Sequence, residues 1–248
     1  MNKDQKFKQV FEDAKQDKNI IGFFLGGSRG KGRETKHSDY DTYMIVKDAV
    51  FKQYQKQYSI NSDDIDIMVY SYTTFKEHAE LGTECEWNRY NFTHLKALVD
   101  KNGKIQQLID KKGIIPKKIL KKYLSGHLDG HINNVYRSFK CFRDKDTIGA
   151  RLQAAESIPL LLNVIFALDG GRIRPYYKYL VWELEKQPIK KLSIKSQDLI
   201  KIILRILRDA DQNTQRELFK AVEKALRKEG YGYVYDSWGA GLNLIRKK

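Results

Sequence analysis

Apolar residues in the first half of the chain follow two rhythms. Phe7, Val10, Phe11 and Ala14 recur at three- and four-residue steps within a polar stretch, which predicts a helix near 3–17 with one buried face. Three short apolar runs follow, Ile20 to Leu25, Thr42 to Val46 and Ile65 to Tyr70, and they predict strands near 20–27, 39–46 and 64–71. Phe92 to Val99 reads as a further strand, Asn102-Gly103 as a turn and Ile105 to Ile109 as a short helix.

The rhythm changes at Gly113–Pro116, where Pro116 is placed to open a helix. Beyond it, Ile119, Tyr123, Leu128, Ile132, Val135, Phe139 and Phe142 form one apolar stripe and predict a long helix. Further helices are expected near 147–168, 176–186, 194–208 and 212–229, separated by Pro175, Pro188 and Gly230. The aromatic segment Tyr231 to Tyr235 should pack in the core, with lining a cleft as the alternative, and a helix cap is expected at Asp236 or Ser237. The pattern is that of an α+β fold: a small mixed sheet with flanking helices over residues 1–115, then a C-terminal helical bundle over 116–248.

Composition narrows the class. A chain of 248 residues can bury two modest cores, and 41 % hydrophobic residues with 12 % aromatics argue against disorder. The longest apolar stretch, Ile158 to Leu168, is too short to span a bilayer and reads as a core helix, so no membrane association is expected. The polar start, Met1 to Lys6, does not resemble a secretion signal. Cys85 and Cys141 stand far apart with no Cys-x-x-Cys pattern, which indicates neither a disulfide framework nor a zinc site and suits a reducing cytoplasm. The net charge of +15 favours anionic substrates or polyanions, although the pairs Lys117-Lys118, Lys121-Lys122, Lys190-Lys191 and Lys247-Lys248 read as solvated helix faces.

Chemistry concentrates between the first two strands. The small-residue loop Gly26 to Gly32 precedes Asp39-Tyr40-Asp41, and residues two apart on a strand share a face, so Asp39 and Asp41 would project together. Such a pair suits Mg²⁺, which takes one or two carboxylates and completes its shell with water and substrate phosphates. A Walker A loop would need Gly at Leu25 and a hydroxyl at Gly32; a dinucleotide-binding loop starting at Gly30 would need Gly at Thr35. Both fail, which leaves a Gly-Ser loop followed by an aspartate pair.

Gly27-Ser28, ten intervening residues and Asp39-Tyr40-Asp41 together resemble the signature of the DNA polymerase β-like nucleotidyltransferase superfamily. The resemblance implies a third carboxylate on a following strand, which Asp66 supplies within Asp64 to Tyr70, with Asp63 and Asp64 as alternatives. It implies a nucleotidyltransferase domain over 1–115, with two Mg²⁺ ions, ATP or another NTP as substrate, and Asp39, Asp41 and Asp66 as metal ligands. Asp66 would complete that metal site or take the acceptor's proton, two roles the sequence does not separate. Gly27 and Ser28 would then meet the phosphates, with Arg29, Lys31 or Arg33 neutralising charge.

The second half is similar to the helical domain of the small-substrate branch, the kanamycin- and streptomycin-type nucleotidyltransferases, through Asn163 to Leu168, Gly170-Gly171-Arg172 and Arg174 to Leu180. By that resemblance residues 116–248 would bind substrate or nucleotide, with Arg174 and Lys178 as nucleotide contacts and Arg151, Glu156 and Arg172 nearby. The implied reaction is transfer of a nucleoside monophosphate, AMP first, to a hydroxyl of a small molecule, an antibiotic among the options. A basic chain disfavours a polycationic aminoglycoside, and transfer to a protein or tRNA is the alternative, followed by noncatalytic nucleic-acid binding.

Two other groups invite roles. Glu84 or Glu86 is an alternative general base, against a solvated loop. His127 and His131 have the spacing of a metal pair but lack the intervening Glu, so packing or exposure is expected.

Overall fold

Asn2 and Gln5 start the first element. The Asn2 side chain accepts from Gln5 N–H at 2.9 Å and Gln5 Oε1 accepts from Asn2 N–H at 3.0 Å, which closes the free donors of α1 (Lys3–Gln16). The computed structural model describes residues 2–247. Met1 of the polar N-terminal segment and Lys248 of the last lysine pair lie outside the described residues. The chain divides into two compact units, up to Ile114 and from Ile115.

The first unit continues through β1 (Ile20–Leu25), α2 (Gly27–Gly30), β2 (Tyr40–Val46), α3 (Phe51–Tyr58), β3 (Ile65–Ser71), α4 (Tyr72–Glu77), β4 (Ala97–Asp100) and α5 (Ile105–Lys112). The strands form one mixed sheet in the order β3-β2-β1-β4. β1 is antiparallel to both neighbours, whereas β2 and β3 are parallel, with α3 in the crossover between them.

Side-chain alternation sorts the sheet into two packed faces. Phe23, Met44, Val46, Ile65, Ile67 and Val69 bury against α1 and α3. Phe24, Tyr43 and Ile45 bury against Phe75 of α4, Phe92, and Ile105 and Ile109 of α5. Each fully buried large apolar side chain contributes roughly 1.5–3 kcal/mol, so both faces are strongly specified.

The strand expected over 92–99 is shorter than its apolar run. Residues Glu86–Phe92 form 3₁₀ turns and only Ala97–Asp100 joins the sheet. The carbonyls of Tyr90, Asn91 and Thr93 all accept from the Lys31 ammonium, at 2.6–3.1 Å, which turns that backbone away from any ladder.

The second unit is helical: α6 (Lys117–Arg143), α7 (Thr147–Leu168), α8 (Leu180–Lys186), α9 (Ser196–Asp209), α10 (Gln212–Lys228), α11 (Gly232–Ser237) and α12 (Asn243–Arg246). Pro116 is the N-cap of α6, so the helix opens one residue later than expected. A three-residue turn with Lys145 left-handed (φ 61°) returns the chain into α7, whose N-cap Asp146 accepts from Gly149 N–H at 2.8 Å. The helix expected near 176 begins as a 3₁₀ turn, Tyr177–Tyr179.

Asp236 and Ser237 lie inside α11 rather than capping a helix. The reversal at Gly230 (φ 86°) starts that helix early and buries Val234 and Tyr235, the latter edge-on to Phe219 at 5.6 Å. α7 as a whole is long and apolar enough to cross a membrane by composition, but 56 % of that window is buried inside the protein. His131 of α6 is also buried, with Nδ1 3.1 Å from the Ser157 carbonyl of α7, and burial pushes its pKa down to about 4.

Candidate active site

Three strand ends meet at one end of the sheet: β1 finishes at Leu25, and the parallel strands β2 and β3 begin at Tyr40 and Ile65. Parallel register sets Asp41 directly beside Asp66. Alternation puts both on the face of Tyr43 and Tyr70, while Tyr40 turns the other way, onto Phe7 at 4.5 Å, and its hydroxyl donates to Asp4 at 2.7 Å. Neighbouring strands are about 4.8 Å apart, so two half-buried carboxylates share one patch. Asp39 lies two residues before Asp41, just ahead of the strand.

The loop that follows β1 is shaped by this carboxylate. Gly27 has φ +52°, and a Cβ there would sit 1.7 Å from Asp41 Oδ2. Gly26 is pressed against the Tyr43 ring, and Gly30 against the Leu25 carbonyl, where a Cβ would come within 2.2 Å. The loop therefore needs its glycines for two reasons, a left-handed backbone and close approach. Gly26 N–H donates to the Asp41 carbonyl at 2.7 Å, which fixes the loop to the start of β2.

Side chains complete the bracing. Ser28 Oγ donates to Ser38 Oγ at 2.9 Å, closing the small-residue loop onto the segment just before Asp39. Arg29 donates to the carbonyls of Asp39 (2.9 Å) and Ser38 (3.0 Å) and lies 3.9 Å over the Tyr40 ring. Lys3 Nζ reaches the same Ser38 carbonyl at 2.9 Å. Gly27 N–H donates to Asn91 Oδ1 at 3.0 Å, and Asn91 Nδ2 donates to the Tyr43 hydroxyl at 2.6 Å.

Several residues read from the sequence sit differently from expectation. Lys31 is buried among backbone carbonyls and the Tyr90 ring, and Arg29 grips backbone, so both cations hold the loop in place rather than face it. Asp66 Oδ1 accepts from Ser62 N–H at 2.9 Å. Among the described residues no three His, Cys, Asp or Glu side chains stand together as a metal-binding group; Asp41 and Asp66 are register partners and Asp39 lies just ahead of β2. Asp63 and Asp64 are exposed in the bend before β3. Glu86 accepts from Gly82 N–H at 2.7 Å, and Glu84 is exposed.

In the second unit, Arg172 is braced internally by Asp169 (3.1 Å), Glu183 (3.2 Å) and the Gln187 carbonyl (2.8 Å). Arg174 donates to Asn163 Oδ1 at 2.9 Å, whereas Lys178 is exposed with its ammonium 4.9 Å over the Tyr179 ring. Arg151 donates to the Arg208 carbonyl, and Glu156 is exposed. Asn91 and Lys3 carried no signal in the sequence: one lies 64 residues from the glycine it holds, the other in a polar helix start.

A family model described as a nucleotidyltransferase domain matches residues 6–139, over half of the 248-residue chain. No curated protein matches. Among solved structures, a nucleotidyltransferase-like protein from Exiguobacterium sibiricum 255-15 is similar over 97 % of this chain and 77 % of its own, at 11 % identity and a TM-score of 0.47. On the breadth of the family match, which takes in the Gly-Ser loop and all three aspartates, the chain belongs to the nucleotidyltransferase domain family.

Proposed function

We propose that this protein transfers a nucleoside monophosphate, AMP by first preference, from a nucleoside triphosphate to a hydroxyl of a small molecule. The observation that carries the reading is the register pairing of Asp41 with Asp66 beside a glycine loop whose Gly27 has no room for a side chain. Two neighbouring carboxylates suit Mg²⁺ that arrives with the triphosphate, since that ion needs only one or two protein carboxylates when phosphates fill its shell. Asp39, Asp41 and Asp66 would hold it. When bound, it would offset charge on the phosphates and on the leaving pyrophosphate.

The protein's own groups supply the rest. Ser28, already hydroxyl-bonded to Ser38, would exchange that partner for a phosphate oxygen. The acceptor oxygen forms a bond to the α-phosphorus as the bond to the β-phosphate bridge breaks; Asp66 takes the hydroxyl proton and pyrophosphate leaves. Arg29 and Lys31 act through the loop they brace. Arg174 and Lys178 belong to the proposal as nucleotide contacts and are tested with it.

Transfer of AMP to a protein or to tRNA is the second reading, favoured by the +15 charge, which raises affinity for polyanions. A turnover screen decides: NTPs with Mg²⁺ are offered small hydroxyl acceptors, tRNA and lysate protein, and α-labelled nucleotide is followed. Label in a small product, lost in Asp41→Ala, supports the first reading; label in a macromolecule replaces it with the second. Salt-sensitive nucleic-acid binding that is indifferent to Asp41→Ala, with no transfer, would overturn both. Label transfer that survives Arg174→Ala and Lys178→Ala at parental nucleotide KM would remove those two residues.

A further inference from the structure

We infer that Asn91 is a positioning residue for nucleotide binding: its side-chain amide holds Gly27, and so sets the loop against which the phosphates would rest. The inference rests on the function proposed above and adds a residue to it. Asn91 is 8 % exposed and contributes both ends of its amide, the oxygen to Gly27 N–H at 3.0 Å and the nitrogen to the Tyr43 hydroxyl at 2.6 Å. Tyr43 cannot swing to follow another partner, because its ring stacks on Phe24 at 4.7 Å and meets Phe92 edge-on at 5.7 Å. The amide is thus oriented from behind by a core side chain and aimed at one backbone donor.

What that donor controls is the carboxylate. Gly27 lies directly against Asp41, so any rotation of the Gly27 peptide changes the space open to Asp41 Oδ2. The backbone around Asn91 is held in turn by the loop it supports. Lys31, the C-cap of α2, donates to the carbonyls of Tyr90, Asn91 and Thr93. Arg89 anchors the same turn to the carbonyls of Ala79, Lys111 and Ile114 at 2.8–2.9 Å. Both ends of the glycine loop therefore attach to residues 90–93, one through the Asn91 side chain and one through backbone, a closed circuit that fixes the loop before any nucleotide arrives.

Asp in place of Asn keeps the shape but loses the donor to Tyr43 and puts a negative charge beside Asp41, where the phosphates must come; Leu removes both hydrogen bonds. The test compares the parent, Asn91→Asp and Asn91→Leu for steady-state kinetics, melting temperature and amide exchange at Gly27. Positioning predicts nucleotide KM raised about ten-fold in both variants, acceptor KM unchanged, and faster exchange at Gly27 in Asn91→Leu, which alone removes the acceptor of its N–H. A purely structural role would lower the melting temperature and the active fraction, read as kcat, while leaving nucleotide KM alone. Asn91→Asp carries the test if Asn91→Leu does not fold. Parental nucleotide KM in Asn91→Asp overturns the inference. A parent that neither binds nor turns over any NTP fails the proposed function instead, and the Gly27 exchange rates still report whether Asn91 holds the loop.

Discussion

Gly27 and Asp41 are one structural unit although they stand fourteen positions apart. The left-handed φ of +52° and the 1.7 Å gap between a Cβ and Asp41 Oδ2 mean that Gly27→Ala must displace either the backbone or the carboxylate. Strain of this kind costs about 1–3 kcal/mol. We expect Gly27→Ala to unfold at lower denaturant than the parent and to lose nucleotide binding, and equal binding with a parental midpoint would contradict the packing described. For Asp66 the expectation is different. Asp66→Asn keeps the hydrogen bond from Ser62 N–H, so stability should hold while transfer falls by roughly 10²–10⁴, the usual contribution of a proton acceptor. An Asp66→Asn rate within a few-fold of the parent would remove it as the base.

At the level of elements, the period of the apolar positions was a sound guide wherever packing alone decides. α1, the first three strands, α6, α7 and α10 lie close to where the apolar positions place them: α1, α6 and α10 bury one stripe each, whereas β1, β2 and the second half of α7 are apolar runs buried on both sides. It failed where polar side chains bend the backbone. The Phe92–Val99 run yielded only a four-residue strand because Lys31 collects three carbonyls from the preceding turn, a contact spanning about 60 residues that no local window contains. The candidate site divides the same way: the Gly-Ser loop and the Asp39–Asp41 pair are a local spacing that the sequence displays, Asp66 entered only through the family resemblance, and Asn91 and the bracing use of Arg29 and Lys31 depend on tertiary contacts.

Lys31→Met tests this element directly. It removes the ammonium from the carbonyls of Tyr90, Asn91 and Thr93, of which Tyr90 keeps the Thr93 N–H and hydroxyl as donors, and at about 1–3 kcal/mol for an unsatisfied group we expect a clear loss of stability, measured by denaturant titration.

α6 and α7 carry a pH-dependent tie. His131 has a folded pKa pushed down to about 4 by burial, against an ordinary value of 6.5. The unfolded chain therefore binds the proton first, so the stability of this helix pair is complete above about pH 6.5 and declines as pH falls toward 4. The shift corresponds to a loss on the order of 3 kcal/mol. Parent and His131→Leu should diverge in their stability-against-pH curves over that interval, with the flatter curve in the variant; parallel curves would refute a neutral buried imidazole.

For the whole molecule, the division at Ile114 separates a sheet with two packed faces from a bundle with its own core. Residues from Ile115 onward, expressed alone, should give a helical circular-dichroism spectrum and a cooperative melt; a molten, non-cooperative fragment would show that the bundle needs the sheet to fold. The most direct test of the catalytic reading is pyrophosphate release from NTP with Mg²⁺ and an acceptor mixture, measured side by side for the parent, Asp41→Asn and Asp66→Asn. Release by the parent, with little or none from either variant at matched folded concentration, is the expected result. Equal release from all three, or none from the parent with any NTP and acceptor tried, would contradict it.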